Sequence, residues 1–176
     1  MHPLERFLTR ESLGRKIQET KFARAGFFND LGLLTRHKLK NQNVELVQQL
    51  DPNLPALMAD ATQLEQAFLN ITLNAVQAMP QGGRLRITTR VSPASKKGES
   101  GRLIVEFSDS GEGLTEAQCR KAFQPLFTTR TSGTGLGLAI VSRVVETHRG
   151  EVQIRSRPGE GTTVTIALPV DLKLSP

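Results

Sequence analysis

The sequence is poor in cysteine, the residue whose disulfides stabilise small extracellular folds, and it lacks two of the three large aromatic residue types. It contains one cysteine, Cys119, and neither tryptophan nor tyrosine in its 176 residues. A single cysteine excludes an internal disulfide and any zinc site built from several cysteines of this chain. We expect Cys119 to be an ordinary small side chain, buried or half-buried. The core must therefore be built from aliphatic residues and eight phenylalanines.

Long apolar runs are also missing. No run approaches the roughly 18 residues that a membrane-spanning helix needs. The first ten residues hold Arg6 and Arg10 without an apolar block, which argues against a secretory signal. Hydrophobic residues make up 38% and charged residues 23%, a globular composition with room for one domain and an appendage. These features predict a soluble, cytoplasmic protein without a membrane span.

The excess of positive charge is confined to the N-terminal part. The net charge is +6; residues 1–40 hold nine Lys and Arg against four Asp and Glu, whereas residues 41–176 hold fourteen against thirteen. A basic arm of this kind is one way to bind nucleic acid, but no aromatic residues for base stacking are interleaved with it. We therefore predict a solvated helix face and no nucleic-acid partner.

The Ala25-Gly26 pair interrupts a helical pattern and divides the chain into an appendage, residues 1–25, and a domain, residues 26–176. Thr62 is the predicted N-cap of a helix that ends before Pro80, with Glu65 as its capping-box partner. A second helix is predicted from about Gly135 to His148. Alternating residues predict five strands, at 44–50, 84–90, 103–107, 152–154 and 164–168. The fold class is α/β, a two-layer sandwich in which helices cover one face of a mixed, mostly antiparallel sheet, with an N-terminal helical appendage.

Two asparagines on the first of these helices are candidate ligands. Asn70 and Asn74 are four residues apart, so both amides project from the same helix face. Amide oxygens facing a cleft can hold Mg²⁺ together with phosphate oxygens. In isolation, the alternative is a pair of asparagines on a solvated helix face.

A carboxylate between glycines follows the 103–107 strand. Asp109 at the mouth of a buried strand can accept a hydrogen bond from the exocyclic amine of a purine. Gly111 and Gly113 let a ring approach the backbone closely. A tight turn that needs glycine explains the same pattern equally well.

A glycine-rich segment precedes the second helix. Gly133, Thr134, Gly135, Leu136, Gly137 and Leu138 would place backbone N–H groups at a helix N-terminus, where an anion binds favourably. Arg130 lies three residues earlier and is a further phosphate contact. The spacing matches neither a Rossmann nor a Walker motif, since the Walker lysine and the preceding strand are missing.

The order of these clusters resembles the catalytic, ATP-binding domain of sensor histidine kinases, in the Bergerat-fold superfamily of gyrase, chaperone, kinase and mismatch-repair ATPases. Residues 70–74 look like the N box, 109–113 like the first glycine box, 133–138 like the second, and Gly161-Thr162 like the last nucleotide-contacting turn. The stretch 123–130, Phe-Gln-Pro-Leu-Phe-Thr-Thr-Arg, resembles the F box and the start of the ATP lid in the nitrogen-regulator-like branch.

This resemblance implies a role for each matched residue. Asn74 ligates Mg²⁺ and Asn70 assists it or polarises water, while Asp109 reads the adenine amine with support from Thr162 through water. Arg130 neutralises phosphate charge. Gly111 and Gly113 shape the adenine pocket, and Gly133, Gly135 and Gly137 let the lid close over the phosphates. The further residues implied to bind the nucleotide are Thr128, Thr129, Thr134, Leu136 and Leu138. The hydrolysing relatives have a glutamate where Asn70 stands, and an amide is no general base, which favours phosphoryl transfer over hydrolysis.

No phosphoacceptor motif accompanies the ATP site. None of His2, His37 and His148 begins an acceptor box, and we expect His148 to cap a helix C-terminus. The chain is expected to be a truncated kinase that lacks the histidine-bearing dimerisation hairpin, and to be a monomer by itself although the full-length kinase is a homodimer. The expected partners are that hairpin and a downstream response regulator. The alternatives are a stand-alone serine kinase of the anti-sigma-factor type and a non-catalytic ATP-binding module.

Overall fold

The computed structural model describes residues 25–55, 57, 59–93, 101–129 and 133–170. Apart from Ala25, the predicted appendage lies outside the described residues, and so do His2 and Arg130. The described helices and strands, in chain order, are α1 (Ala25–Asn41), β1 (Val44–Gln49), α2 (Ala61–Gln77), β2 (Gly83–Ser92), β3 (Gly101–Asp109), α3 (Glu116–Lys121), α4 (Gly137–Thr147), β4 (Glu151–Arg157) and β5 (Gly161–Val170).

The strands form one five-stranded sheet in the order β1-β2-β3-β5-β4. Strand β1 runs parallel to β2, and the other neighbouring pairs are antiparallel. The predicted mixed, mostly antiparallel sheet is thus confirmed. The register places Thr162 of β5 opposite Asp109 of β3 on one side and opposite Ser156 of β4 on the other. Three residues that are distant in sequence therefore lie in one row across the sheet.

The core lies between the helices and one face of the sheet. Leu85 and Ile87 of β2 are fully buried there, whereas Arg84 and Arg86, which alternate with them, are exposed on the other face. The helical layer contributes Phe68 of α2, which is fully buried. Its ring packs edge-on against Phe107 of β3, with the ring centroids 5.2 Å apart. Burial of these large side chains supplies most of the driving force for docking the two layers.

The N-cap of α2 is Asp60, so the prediction of Thr62 was wrong. Asp60 has an extended backbone, and its carboxylate accepts a hydrogen bond from the N–H of Gln63 at 3.1 Å. Thr62 lies one position inside the first turn, where its side chain is exposed. The acidic residue takes the cap because its carboxylate reaches a backbone N–H that no helical carbonyl can satisfy. A capping box does form in this fold, at Thr115 and Gln118 of α3.

His148 joins α2 to α4. It follows α4 as the C-cap residue, and its Nε2 lies 2.9 Å from the backbone N of Asp60. Its Nδ1 lies 2.8 Å from the carbonyl oxygen of Val144. Since a carbonyl only accepts, Nδ1 carries the proton and Nε2 accepts from Asp60. Both ring nitrogens are thus used to fix the end of one helix to the start of another.

We expect His148→Ala to lower the free energy of unfolding by about 1–3 kcal/mol, since the partly buried N–H of Asp60 loses its acceptor. Urea unfolding followed by circular dichroism measures the change. The matched control is His37→Ala, which alters an exposed histidine of α1. Equal losses of stability in the two variants would contradict this role.

Candidate functional site: a cleft at the junction of α2, β3 and α4

The residues singled out in the sequence meet in one cleft of about 340 Å³. Its lining contains residues from each predicted cluster, namely Asn70, Asn74, Asp109, Gly113, Thr128, Thr129, Gly133, Thr134, Gly135, Gly137, Leu138 and Thr162. Gly111 and Leu136 are not part of this lining. The clusters, which the sequence places far apart, thus form a single site.

Asp109 is the last residue of β3, and its carboxylate is held by the backbone. Its Oδ1 accepts hydrogen bonds from the N–H of Gly111 at 2.9 Å and from the N–H of Thr162 at 3.2 Å. The first bond closes a turn after the strand, and the second joins β3 to β5. Two fixed donors on one oxygen orient the whole carboxylate, which lies in the wall of the cleft.

The loop after Asp109 packs against neighbouring backbone so closely that only glycine fits. Gly113 has φ +70°, and a Cβ there would lie 1.9 Å from the carbonyl oxygen of Arg157. A Cβ on Gly111 would lie 2.5 Å from the carbonyl oxygen of Ala78. The N–H of Glu112 donates to that same carbonyl oxygen of Ala78, at 3.1 Å. The absence of a side chain at these two glycines therefore allows the loop to pack against the backbones of Ala78 and Arg157.

Ser156 connects this loop to the start of β5. Its Oγ accepts a hydrogen bond from the N–H of Leu114 at 2.7 Å and donates one to the carbonyl oxygen of Gly161 at 2.7 Å. The same Oγ lies 2.9 Å from Oγ1 of Thr162. Ser156 could not be identified from the sequence, because an isolated serine in an alternating strand gives no signal. Only the cross-strand register reveals it.

The two asparagines of α2 lie beside the N-terminus of α4. Nδ2 of Asn70 donates to the carbonyl oxygen of Gly137 at 3.4 Å. A Cβ added to Gly137 would lie 3.5 Å from Nδ2 of Asn74, an ordinary contact distance that places this amide directly beside the start of α4. Helix α4 begins without a side-chain cap. The partial positive charge of its N-terminus is therefore adjacent to both amides.

The glycine-rich segment is less helical than the sequence suggested. Helix α4 begins at Gly137, not at Gly135. Gly135 has φ +67°, which a right-handed helix cannot accommodate, and its Cα packs directly against the backbone of Leu126. Leu126 itself has φ 65° and is 70% exposed. The backbones of the F-box stretch and the glycine box thus approach each other closely, and both segments contribute to the lining of the cleft.

An apolar wall completes the cleft, and the sequence analysis did not identify it. In a strand, alternating apolar residues predict core positions, and the same pattern serves equally for a pocket wall. Phe107 and Val164 illustrate this, since both are buried and both face the cleft. The wall consists of Ala78, Phe107, Leu114, Ala122, Phe127, Ile154 and Val164. An apolar wall in the same cleft as an oriented carboxylate suits an apolar ring with a hydrogen-bonding edge.

These features define a class: an α/β domain with a cleft that has an oriented carboxylate and an apolar wall at one side and the N-terminus of a helix at the other. The family model for histidine kinase-, DNA gyrase B- and HSP90-like ATPases matches residues 59–172. That range contains α2, the glycine loops and α4, and with them the whole lining of the cleft. The chain therefore belongs to this ATPase family.

Curated relatives include two sensor kinases of Escherichia coli strain K12. Sensor histidine kinase ZraS is 37% identical over 150 residues, which cover 81% of this chain and 31% of ZraS. Signal transduction histidine-protein kinase AtoS is 38% identical over 128 residues, which cover 73% of this chain and 20% of AtoS. The chain thus corresponds to less than a third of either relative.

Solved structures agree with the fold. The nucleotide-free catalytic domain of histidine kinase ThkA superposes with a TM-score of 0.72 at 26% identity, covering 85% of this chain and 94% of that one. Full-length ShkA in complex with AMPPNP gives a TM-score of 0.69 at 26% identity, covering 82% of this chain and 29% of ShkA. The predicted resemblance and the predicted fold class are both confirmed. Within the part of the chain that the structure describes, none of the helices has the length and apolar character to cross a membrane.

Proposed function

We propose that this chain binds Mg-ATP in the cleft and transfers the γ-phosphoryl group to a histidine on a separate phosphoacceptor hairpin of the same kinase. The observation that carries the proposal is the pairing of two ends of one cleft. Asp109, with its carboxylate held by Gly111 and Thr162, stands at one end. The uncapped N-terminus of α4 stands at the other, beside the two asparagines.

The nucleotide is placed by matching its parts to these ends. The adenine amine is a donor and pairs with the Asp109 carboxylate, while the ring lies against the apolar wall. The phosphates are anions and lie at the α4 N-terminus, covered by the segment that contains Thr128, Thr129 and Gly133. Arg130, outside the described residues, is proposed to neutralise phosphate charge from that segment.

Asn74 and Asn70 are suited to bind a Mg²⁺ ion that enters the cleft together with the nucleotide. Mg²⁺ keeps several waters, takes phosphate oxygens and needs only one or two oxygen ligands from the protein. The residues that the structure describes hold no cluster of three His, Cys, Asp or Glu that could bind a metal. The amides lie beside the N-terminus of α4, where the phosphates are proposed to bind, so their oxygens are proposed as the donors. When bound, Mg²⁺ neutralises charge on the β- and γ-phosphates. Asn74 is proposed as the ligand and Asn70 as its assistant.

Transfer to histidine is favoured over hydrolysis because the residue beside the start of α4, where the hydrolysing relatives have a glutamate, is the amide Asn70. Asn70 carries a neutral amide that donates to Gly137, and an amide does not take a proton from water at neutral pH. In the proposed step, the bond between the γ-phosphorus and the bridging oxygen breaks and an N–P bond forms to the acceptor imidazole, which loses its proton. ADP is the leaving group. The protein contributes mainly position and charge neutralisation.

The test is to incubate the chain with γ-labelled ATP, with and without a separately produced histidine hairpin from a close relative such as ZraS. We expect acid-labile label on the hairpin and none on this chain, because both ring nitrogens of His148 are engaged and neither His2 nor His37 begins an acceptor box. Label on serine instead would indicate the anti-sigma-factor type. Binding without any transfer would indicate a regulatory module.

Asn74→Ala is expected to reduce the affinity for Mg-ATP about tenfold or more and to leave metal-free ATP binding nearly unchanged, because only the former uses the amide oxygen. Calorimetric titrations with and without Mg²⁺ measure both affinities. The control is Gln77→Ala, one turn later on the same helix and also at the cleft. An equal loss under the two conditions would exclude Asn74 as the ligand.

The remaining partners follow from the same proposal. A phosphohistidine on the hairpin is proposed to supply a response regulator downstream, and the hairpin is proposed to make the full-length kinase a homodimer. The isolated chain is expected to be a monomer, which sedimentation measures directly. A cytoplasmic location fits a substrate, ATP, that is abundant there, and it stays a prediction.

A further inference from the structure

The direction of one hydroxyl in the cleft can be deduced by counting protons. A serine hydroxyl has one proton to donate and two lone pairs that accept. Oγ of Ser156 has three close partners: the N–H of Leu114, the carbonyl oxygen of Gly161 and Oγ1 of Thr162, at 2.7, 2.7 and 2.9 Å. The carbonyl oxygen cannot donate, so Ser156 gives its only proton to Gly161. The N–H of Leu114 occupies one lone pair.

Only one role is then left for Thr162. Ser156 has no further proton, so the contact between the two hydroxyls is a hydrogen bond in which Thr162 donates to the second lone pair of Ser156. The proton of the Thr162 hydroxyl therefore points away from the cleft. Thr162 lines the cleft, and toward that space its oxygen offers lone pairs alone. Its backbone N–H is also engaged, with Oδ1 of Asp109 at 3.2 Å.

We infer that Ser156 is a specificity-determining residue that makes the Thr162 hydroxyl an obligatory acceptor at the base end of the cleft, and that this selects a purine with an amine at position 6 over one with a carbonyl. The inference rests on the proposed ATP site. An acceptor beside the Asp109 carboxylate matches an amine donor directly, whereas a 6-oxo purine places an acceptor against acceptors. A water that donates one proton to Thr162 and the other to the Asp109 carboxylate presents only lone pairs to the base, so it accepts from a 6-amino group and has no proton left for a 6-oxo group.

Ser156 is suited to this role because it lies in one row across the sheet with Thr162 and Asp109, and the strand pairing holds these residues in place. Its partner Thr162 is flanked by β3 and β4 in the sheet register, so neither hydroxyl can turn without breaking a cross-strand contact. Ser156 does not line the cleft itself and acts only through Thr162. If this serine were merely structural, its removal would weaken all nucleotides equally. The inference instead predicts a change in the ratio of two affinities.

The test measures the affinities of the chain for ATP and ITP, which differ in the 6-amino and 6-oxo groups, by calorimetry. We expect Ser156→Ala to lower the ATP-to-ITP affinity ratio about three- to tenfold, because the freed Thr162 hydroxyl can then donate to the 6-oxo group. Ser156→Thr, which keeps the hydroxyl, should restore the parent ratio. In a Thr162→Val background, Ser156→Ala should change the ratio no further.

The matched control is Ser108→Ala. Ser108 of β3 also pairs with a threonine of β5, Thr163, with 3.0 Å between the hydroxyl oxygens, but on the opposite face of the sheet. Ser108→Ala should leave the ATP-to-ITP affinity ratio at the parent value. Ser156→Cys replaces Ser156→Ala if the alanine variant does not fold. An unchanged ratio in a folded variant overturns the inference even where ATP binding stands, whereas failure of the parent chain to bind ATP overturns the proposed function.

Discussion

Asp109→Asn is expected to weaken ATP binding by about 1–3 kcal/mol while leaving the protein folded. The asparagine keeps one oxygen that can accept from the N–H groups of Gly111 and Thr162, so the turn and the β3–β5 junction persist. Its NH₂ group replaces the second carboxylate oxygen and faces the donor amine of adenine with another donor. Calorimetric titration with Mg-ATP measures the loss, and thermal unfolding confirms the fold.

Two comparisons make this result specific. Asp30→Asn, a substitution of the same chemistry on the exposed side of α1, should leave ATP affinity at the parent value. The parent chain should also prefer ATP over GTP, because GTP presents a carbonyl where ATP presents an amine. Equal affinity of the parent chain for ATP and GTP would show that Asp109 does not read the base.

Gly113→Ala is expected to abolish ATP binding and to destabilise the protein strongly. The new Cβ would lie 1.9 Å from the carbonyl oxygen of Arg157, which is itself part of β4. Because both sides of the contact are backbone, no side-chain rotation relieves it, and the loop must leave its place beside the β4–β5 turn. Asp109 begins the same loop, so the base end of the cleft would be lost with it.

The fold supplies a control that separates steric conflict from backbone conformation. Gly159 has φ +80°, close to the φ of Gly113, yet a Cβ there would meet nothing within 4 Å. Gly159→Ala should therefore show only the conformational penalty of about 1–2 kcal/mol. Urea unfolding of the two variants gives the difference. If both lose the same stability, the close approach at Gly113 is not what demands glycine.

The sequence was informative wherever function requires an unusual residue at a fixed spacing. Asn70 and Asn74 stand out because two amides one turn apart have little reason to occur on a core helix, and the structure brings both to the cleft. Asp109 stands out because a carboxylate follows a run of buried strand residues. The same argument located the glycine loops. For the sheet, the sequence predicted a mixed, mostly antiparallel arrangement but not the order in which the strands lie.

The sequence was uninformative where a residue acts through a partner that is distant along the chain. Ser156 and His148 gain their roles from Leu114 and Asp60, and neither pair leaves a periodic pattern. Local signals also compete with one another. Thr62 begins a good capping-box spacing, but Asp60 lies earlier, and its carboxylate takes the N–H of Gln63.

The cleft draws its walls from α2, near the start of the matched region, and from β5, near its end. No contiguous fragment of the chain contains both Asn74 and Thr162 without nearly the whole sheet between them. A nucleotide that bridges these walls therefore recognises only the finished fold, and each increment of its binding free energy is added to the global unfolding free energy. ATP should consequently slow hydrogen exchange in the β1–β2 pair, whose residues are not part of the cleft lining, as strongly as at the cleft itself.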